Sequence, residues 1–146
     1  MLELSNDLRQ EHRALRGRIE AIKAAADHVA FQPDMQLREE VDGVLEFLFH
    51  ELAPHAAHEE HTLYPAVARA MGSAEATRTM MRDHTEVHHL TQELNQLRAA
   101  MQHERVNTAL ARDLRRVLYG LYAIITLHFA KEEEIYLPYL AETAKG

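Results

Sequence analysis

The chain has 146 residues and none of them is cysteine, which excludes disulfides, zinc–thiolate sites, iron–sulfur clusters and thiol nucleophiles. Any metal ion must therefore bind through nitrogen and oxygen atoms. Positive charge is also scarce, because 16 Lys and Arg residues are set against 23 Asp and Glu residues. Such a chain has no basic field that could hold a phosphate backbone, so we expect no nucleic-acid partner.

Long apolar runs are missing as well. The longest begins at Leu121 and ends soon after Leu127, which is far too short to cross a bilayer. The first residues carry charges throughout and lack an apolar stretch followed by a small-residue cleavage site. We therefore expect a cytoplasmic protein without a membrane partner. Since 47% of the residues are hydrophobic, we expect residues 1–146 to form a single domain with one core.

Proline and glycine are few, with 4 and 5 residues, and apolar residues recur three and four positions apart almost everywhere. This periodicity predicts an all-α protein. We predict four helices joined by short links, over residues 3–29, 34–71, 74–103 and 107–140. We expect a kink near Pro54, a helix stop at Gly72 and an N-cap at Ser73. Four long helices with short connections predict an up-down-up-down four-helix bundle.

The two halves of the chain resemble each other. His12 and His84 each follow an acidic residue, and the segment HAAHEEHTLYP from His55 is echoed by HFAKEEEIYLP from His128. The two histidines of a half are 43 residues apart in the first half and 44 in the second. Such a duplication of helix pairs predicts an approximate two-fold axis, and a site on that axis would be lined by both copies.

Histidine is the residue type in excess, with 11 in the chain. Several histidines continue the apolar stripe of their helix, as His12 does between Leu8 and Leu15. Each predicted helix thus changes from apolar to metal-ligating side chains on its buried face. The candidate ligands are His12, His55, Glu59, His84, His88, His128 and Glu132.

Buried carboxylates favour a metal site over a purely structural role. A glutamate without a partner in a core is strongly destabilising or must take up a proton, and a cation removes that penalty. Residues four apart lie on the same face of an α-helix and can bind one ion together. The pairs with this spacing are His55 with Glu59, His84 with His88, and His128 with Glu132.

At these residues the chain resembles the hemerythrin family and its HHE cation-binding relatives, over essentially its whole length. The shared motifs are a histidine in helix one, His-x-x-x-Glu-Glu before an aromatic residue and proline in helix two, a histidine pair in helix three and a second His-x-x-x-Glu in helix four. The resemblance implies a hemerythrin-like four-helix bundle that holds two iron ions joined by an oxo or hydroxo bridge. The implied ligands are His84, His88 and His128 for one iron, His12 and His55 for the other, and Glu59 and Glu132 as bridges.

Two of these assignments have an alternative. Oxygen-carrying hemerythrins have an aspartate five residues after the helix-four histidine, whereas this chain has Glu132 at four and Glu133 at five. We prefer Glu132 because it matches Glu59 in the repeat, and we prefer His88 over His89 because adjacent side chains point about 100° apart. Manganese and zinc are alternatives to iron, since nitrogen and oxygen ligands also suit them.

Four residues next to the motifs are assigned secondary roles. Tyr64 and Tyr136 are predicted to be packing residues, with the alternative that a hydroxyl reaches the site. Glu60 and Glu133 are predicted to orient the ligating rings, since metal-bound imidazoles usually donate their other N–H to an acceptor.

The resemblance implies a binding function, namely reversible capture or sensing of O2 or a related small ligand at an open position on one iron, with a role in iron handling. The alternative is a di-iron enzyme of oxidative or nitrosative defence that disproportionates peroxide or reduces NO, and the sequence does not identify a reductase partner. A polar group beside the open position would favour the enzyme. A third hypothesis, a metal-free helical interaction module, predicts equal stability with and without metal.

Overall fold

The computed structural model describes residues 1–145, which are almost entirely helical and contain no strand. The first and third helices are continuous and span α1 (Leu2–His28) and α5 (Arg78–Met101). The second helix is divided into α2 (Asp34–Phe47), a π-helical turn (Leu48–Leu52), α3 (Ala53–His61) and α4 (Leu63–Met71). The fourth consists of α6 (Thr108–Lys131), a second π-helical turn (Glu132–Tyr136) and α7 (Leu137–Thr143). The predicted all-α architecture of four helices is confirmed.

The turn between the second and third helices is longer than predicted. Gly72 stops α4 as expected, with a φ of 68° that favours glycine, and the Ser73 amide donates to the Ala68 carbonyl at 3.0 Å. Ser73 is not the N-cap of the next helix, however. Its hydroxyl accepts a hydrogen bond from the Glu75 amide at 3.2 Å and stabilises a turn, so that α5 begins at residue 78 rather than 74.

Prolines explain the breaks in the helices. Pro54 lies in the first turn of α3, and the residues just before it form the π-helical turn Leu48–Leu52. Pro138 lies in the first turn of α7 and follows the turn Glu132–Tyr136 in the same way. Because proline cannot donate to the carbonyl four residues earlier, the helix adopts a wider turn there. The kink predicted near Pro54 thus takes the form of a π-helical turn.

Two hydrophobic clusters form the core and lie on either side of a polar layer. The larger cluster includes Leu15, Leu52 and Ile125, and the smaller one includes Leu8 and Leu63. Along the first helix the chain passes from the smaller cluster to the larger one, and along the second helix it returns. The third and fourth helices repeat this alternation, which confirms the up-down-up-down bundle.

The polar layer is the part of the bundle in which the sequence motifs meet. Within residues 1–145, eight polar or charged residues are buried, and five of them are candidate ligands: His12, His55, Glu59, His128 and Glu132. None of the helices in the described part of the chain is both long and apolar enough to cross a membrane.

Candidate metal centre

All four helices contribute side chains to the polar layer. On each helix these side chains lie on the same face as the apolar residues of the core. His12 follows Leu8 by one turn of α1, and His55 and Glu59 are one turn apart on α3. His84 lies on α5, one turn after the buried Met80. The fourth helix contributes His128, near the end of α6, and Glu132, the first residue of its π-helical turn.

Six of the predicted residues bring nitrogen and oxygen atoms together in two overlapping groups, within each of which the atoms lie within 4.8 Å of one another. The His12–His55 group consists of His12, His55, Glu59 and Glu132. The His84–His128 group consists of Glu59, His84, His128 and Glu132. Both glutamates belong to both groups, so each can offer one oxygen to either side.

In the His12–His55 group the imidazole Nε2 atoms face the carboxylates. His12 Nε2 lies 3.1 Å from Glu132 Oε1 and 3.4 Å from Glu59 Oε2, and His55 Nε2 lies 3.2 Å from the same Glu59 oxygen. The His12 ring also stacks on Phe129, with 4.0 Å between ring centroids and 12° between planes. This stacking and complete burial leave the His12 ring little freedom to turn.

In the His84–His128 group the same two carboxylates present their other oxygens. His128 Nε2 lies 3.2 Å from Glu132 Oε2 and 3.7 Å from Glu59 Oε1, and His84 Nε2 lies 3.4 Å from that Glu59 oxygen. The two Nε2 atoms are 3.0 Å apart. Glu59 and Glu132 thus stand between the groups with one oxygen directed to each, as bridging carboxylates would.

Outside each imidazole a carboxylate faces the other ring nitrogen. Glu11 accepts from His55 Nδ1 at 2.6 Å, and Asp83 faces His128 Nδ1 at 2.9 Å. Glu133 lies 3.3 Å from His12 Nδ1, and Glu60 lies 3.8 Å from His84 Nδ1. Hydrogen bonds at Nδ1 of His12, His55 and His128 fix the tautomer and leave the Nε2 lone pairs directed inward, where a cation would need them. His84 Nδ1 is buried and has no hydrogen-bond partner among the described residues.

The structure thus places Glu60 and Glu133 where the sequence predicted acceptors, while Glu11 and Asp83 were missed. Both missed residues immediately precede a candidate histidine and are equivalent in the internal repeat. Each of them faces a histidine on the neighbouring helix of its own half, rather than the histidine beside it. The repeat was the signal that could have found them.

Loss of Asp83 should weaken metal binding. We expect Asp83→Asn to lower the affinity for a divalent cation about 10- to 100-fold, because an amide facing His128 cannot replace the charge of the carboxylate. Titration of metal-free protein against a competing chelator measures the change. Asp113→Asn is the control, since Asp113 lies on α6, outside both groups, and its ion pairs are with arginines. Equal affinity in both variants would contradict the role given to Asp83.

The electrostatics of the layer match a site for cations. Burial alone would raise the pKa of Glu59, but favourable interactions with the four surrounding imidazoles hold it well below its usual value. Burial lowers the pKa of His12 and His128, whereas the carboxylates of Glu59 and Glu132 outweigh it and raise these pKa values to about 9 and about 10. In the metal-free protein the protonated imidazoles of His12 and His128 therefore balance the charge of the two carboxylates. A cation that binds here must displace these protons.

Hydrogen bonding is incomplete in this layer, and this tests the fit of a metal independently. His55 Nε2, Glu59 Oε1 and Glu132 Oε1 are buried and find no hydrogen-bond partner among residues 1–145. Buried polar atoms without partners are costly, and these three point into the two groups. Imidazole and carboxylate are also suitable ligands for iron, manganese or zinc, so the residues present fit metal ions.

His88 does not join the cluster. It is exposed, belongs to neither group, and its ring lies 6.5 Å from that of His89. The buried stripe of α5 continues from His84 through Val87 to Thr91, so position 88 falls beside the stripe. The sequence pattern pairs His84 with His88 at a spacing of four residues, whereas the buried face of α5 steps three residues from His84 to Val87 and then four to Thr91.

Tyr64 lies inside the cluster, whereas Tyr136 packs elsewhere. The Tyr64 hydroxyl donates to Glu132 Oε2 at 2.8 Å and lies 3.0 and 3.1 Å from the Nε2 atoms of His128 and His84. Burial and the nearby carboxylates raise the pKa of Tyr64, so without a cation the phenol keeps its proton. The Tyr136 hydroxyl donates instead to the Ala76 carbonyl.

A cavity of about 430 Å³ adjoins the polar layer. Its apolar walls include Leu52, Val87, Ile125 and Phe129, and it extends to His55, Glu59, His84 and His128. The half-buried Glu60 and the exposed His88 also line it. A small molecule in this cavity would therefore contact both groups.

The comparisons with known proteins agree with the site. A family model described as the hemerythrin HHE cation binding domain matches residues 3–143. Neither the search of curated proteins nor the search of solved structures gave a significant match. The family match extends over nearly the whole bundle and includes every residue of the two groups. The chain therefore belongs to the family of hemerythrin HHE cation-binding domains.

Proposed function

We propose that this protein holds two iron ions and reversibly binds or senses O2 or a related small ligand. The cavity beside the two groups carries the proposal, because it gives a small molecule a path to the ligating side chains. The residues proposed to hold the metal are the six that cluster: His12, His55, Glu59, His84, His128 and Glu132.

Two groups that share both glutamates support two ions rather than one. Each group offers two imidazoles, and Glu59 and Glu132 direct separate oxygens to them. Two carboxylates placed between two cations neutralise much of their charge, which lets both cations be buried together. Iron in either group would supply an open coordination position for the small ligand, since four protein donors do not fill an octahedron.

The walls of the cavity support reversible binding. Leu52, Val87, Ile125 and Phe129 present hydrocarbon toward the site, and such walls limit the access of water and protons. Phe129 also holds the His12 ring by stacking, which keeps Nε2 in place when a ligand enters or leaves. A rigid site with largely apolar walls favours binding and release over turnover.

The test is spectroscopic. Protein loaded with ferrous iron under anaerobic conditions should develop a visible charge-transfer band when O2 is admitted, and the band should disappear when O2 is removed. Protein loaded with zinc is the matched control and should show no band. A spectrum that does not respond to O2, or that changes only irreversibly, would contradict reversible binding.

One observation favours an enzyme as the second candidate. Tyr64 and Glu60 place a hydroxyl and a carboxylate at the site, and both could move protons to or from a substrate such as peroxide. Steady-state assays with hydrogen peroxide and with NO decide between the candidates. Rapid turnover of either substrate would show that the protein is an enzyme. Stoichiometric and reversible uptake of O2, without turnover of peroxide or NO, would support the binding function and exclude the enzyme.

A further inference from the structure

The phenol oxygen of Tyr64 occupies the interior of the His84–His128 group. Tyr64 lies in the first turn of α4, is 3% exposed and directs its hydroxyl toward the polar layer. Its three contacts are Glu132 Oε2, His128 Nε2 and His84 Nε2, at 2.8, 3.0 and 3.1 Å. These are the same inward atoms that form the group, so the phenol is a fifth oxygen or nitrogen donor among them.

The spacing of these atoms suits donors that share one cation. Two donors at about 2.1 Å from a metal and at right angles to each other lie about 3 Å apart. The phenol contacts fall at that separation, as do the pair of Nε2 atoms at 3.0 Å and the pair His128 Nε2 to Glu132 Oε2 at 3.2 Å. The oxygen therefore lies at a distance from its neighbours at which all of them can bind one ion.

Hydrogen bonds alone do not account for this arrangement. A phenol has one proton, and it is directed to Glu132, which leaves the two imidazole contacts to be made by protons on His84 and His128. Two imidazole nitrogens 3.0 Å apart cannot both carry a proton toward each other without repulsion. A cation satisfies every one of these atoms at once.

The internal repeat shows that the phenol makes the two groups unequal. Pro65 and Pro138 each follow the repeated histidine of their half by ten residues, so Tyr64 is equivalent to Leu137. Leu137 is fully buried and offers only hydrocarbon. The His84–His128 group thus gains a donor that the His12–His55 group lacks, and His88, which could have been that donor, is exposed outside the cluster.

We propose that Tyr64 is a metal ligand, and that its phenolate oxygen takes the place in the His84–His128 group that the sequence gives to His88. This inference rests on the proposed two-metal centre. Coordination replaces the phenol O–H bond by an oxygen–metal bond and releases one proton to solvent. The ion with more protein donors would then be the one held by His84 and His128, which would leave the ion held by His12 and His55 with the more open coordination.

Resonance Raman spectroscopy of the ferric protein tests the proposal directly. Excitation in a visible phenolate-to-iron charge-transfer band should enhance the ring vibrations of a coordinated tyrosine, and these bands should shift in protein made with ring-deuterated tyrosine. Tyr64→Phe should abolish them and Tyr136→Phe should retain them, because the Tyr136 hydroxyl bonds to the Ala76 carbonyl outside the cluster. The wild-type spectrum decides the question even if Tyr64→Phe does not fold.

Metal affinity gives a second readout. We expect Tyr64→Phe to weaken binding of one of two zinc ions by at least about tenfold, and His88→Ala to leave both affinities unchanged. Two ions bound by wild-type protein, with no phenolate bands and with weakened binding in His88→Ala, would overturn the ligand role of Tyr64 alone. Failure of the wild-type protein to bind two ions would instead overturn the proposed centre itself.

Discussion

Removal of the metal is expected to lower the melting temperature of the protein by about 10 to 15 °C. A ligand present at a thousand times its Kd adds about 4 kcal/mol to the free energy of unfolding, and a domain of this size melts a few degrees higher for each kcal/mol. Without the metal, Glu59, Glu132 and the imidazoles around them stay buried with atoms that lack partners. The stabilisation should therefore be large for a protein of 146 residues.

Differential scanning calorimetry before and after chelation measures this effect. Addition of iron or zinc to the chelated protein should restore the original melting temperature, which excludes damage by the chelator. Equal melting temperatures for the metal-free and metal-loaded protein would support the metal-free interaction module that the sequence left as its third hypothesis.

Glu59→Gln is expected to remove both metal ions, whereas His55→Ala should remove one. Glu59 is completely buried, and it directs Oε2 toward His12 and His55 and Oε1 toward His84 and His128. The amide is close to the carboxylate in size but carries no charge to balance two cations. Elemental analysis by mass spectrometry should fall from about two metal ions per chain to about none in one variant and to about one in the other.

Glu134→Gln is the matched control, because Glu134 lies in the same acidic run as Glu132 but is exposed. It should keep both ions. The metal-free Glu59→Gln variant should be at least as stable as metal-free wild type, since a buried carboxylate without a cation is a liability. Retention of both ions by Glu59→Gln would show that this residue does not bridge them.

The sequence predicted the features that depend on a single helix. The apolar stripe of α1 indicated correctly that His12 faces inward between Leu8 and Leu15, and the match to Glu59 in the repeat favoured Glu132 over Glu133. In the structure Glu132 reaches both groups, while Glu133 faces the outer nitrogen of His12 and binds Arg16. Helical periodicity and the repeat were sufficient here because each question concerned only which side of one helix a residue occupies.

Features that depend on contacts between helices were harder to predict. Whether Glu11 serves His12 or His55 is decided by how α1 packs on α3, and no pattern within α1 contains that information. His88 lies outside both groups for a different reason, since a stripe with residues at both three and four positions apart allowed two registers for α5. Tyr64 is predicted to be a packing residue because the repeat gives no sign of the helix break at Thr62, between α3 and α4.

The neighbouring glutamates of each half reach across the bundle. Glu59 of the first hairpin belongs to the His84–His128 group of the second, and Glu60 lies beside the His84 ring. In the same way, Glu132 of the second hairpin belongs to the His12–His55 group of the first, and Glu133 lies beside the His12 ring. A lone hairpin therefore supplies only three of the four residues of its group. Neither half can complete its group alone, so both hairpins must pack together before either group can form.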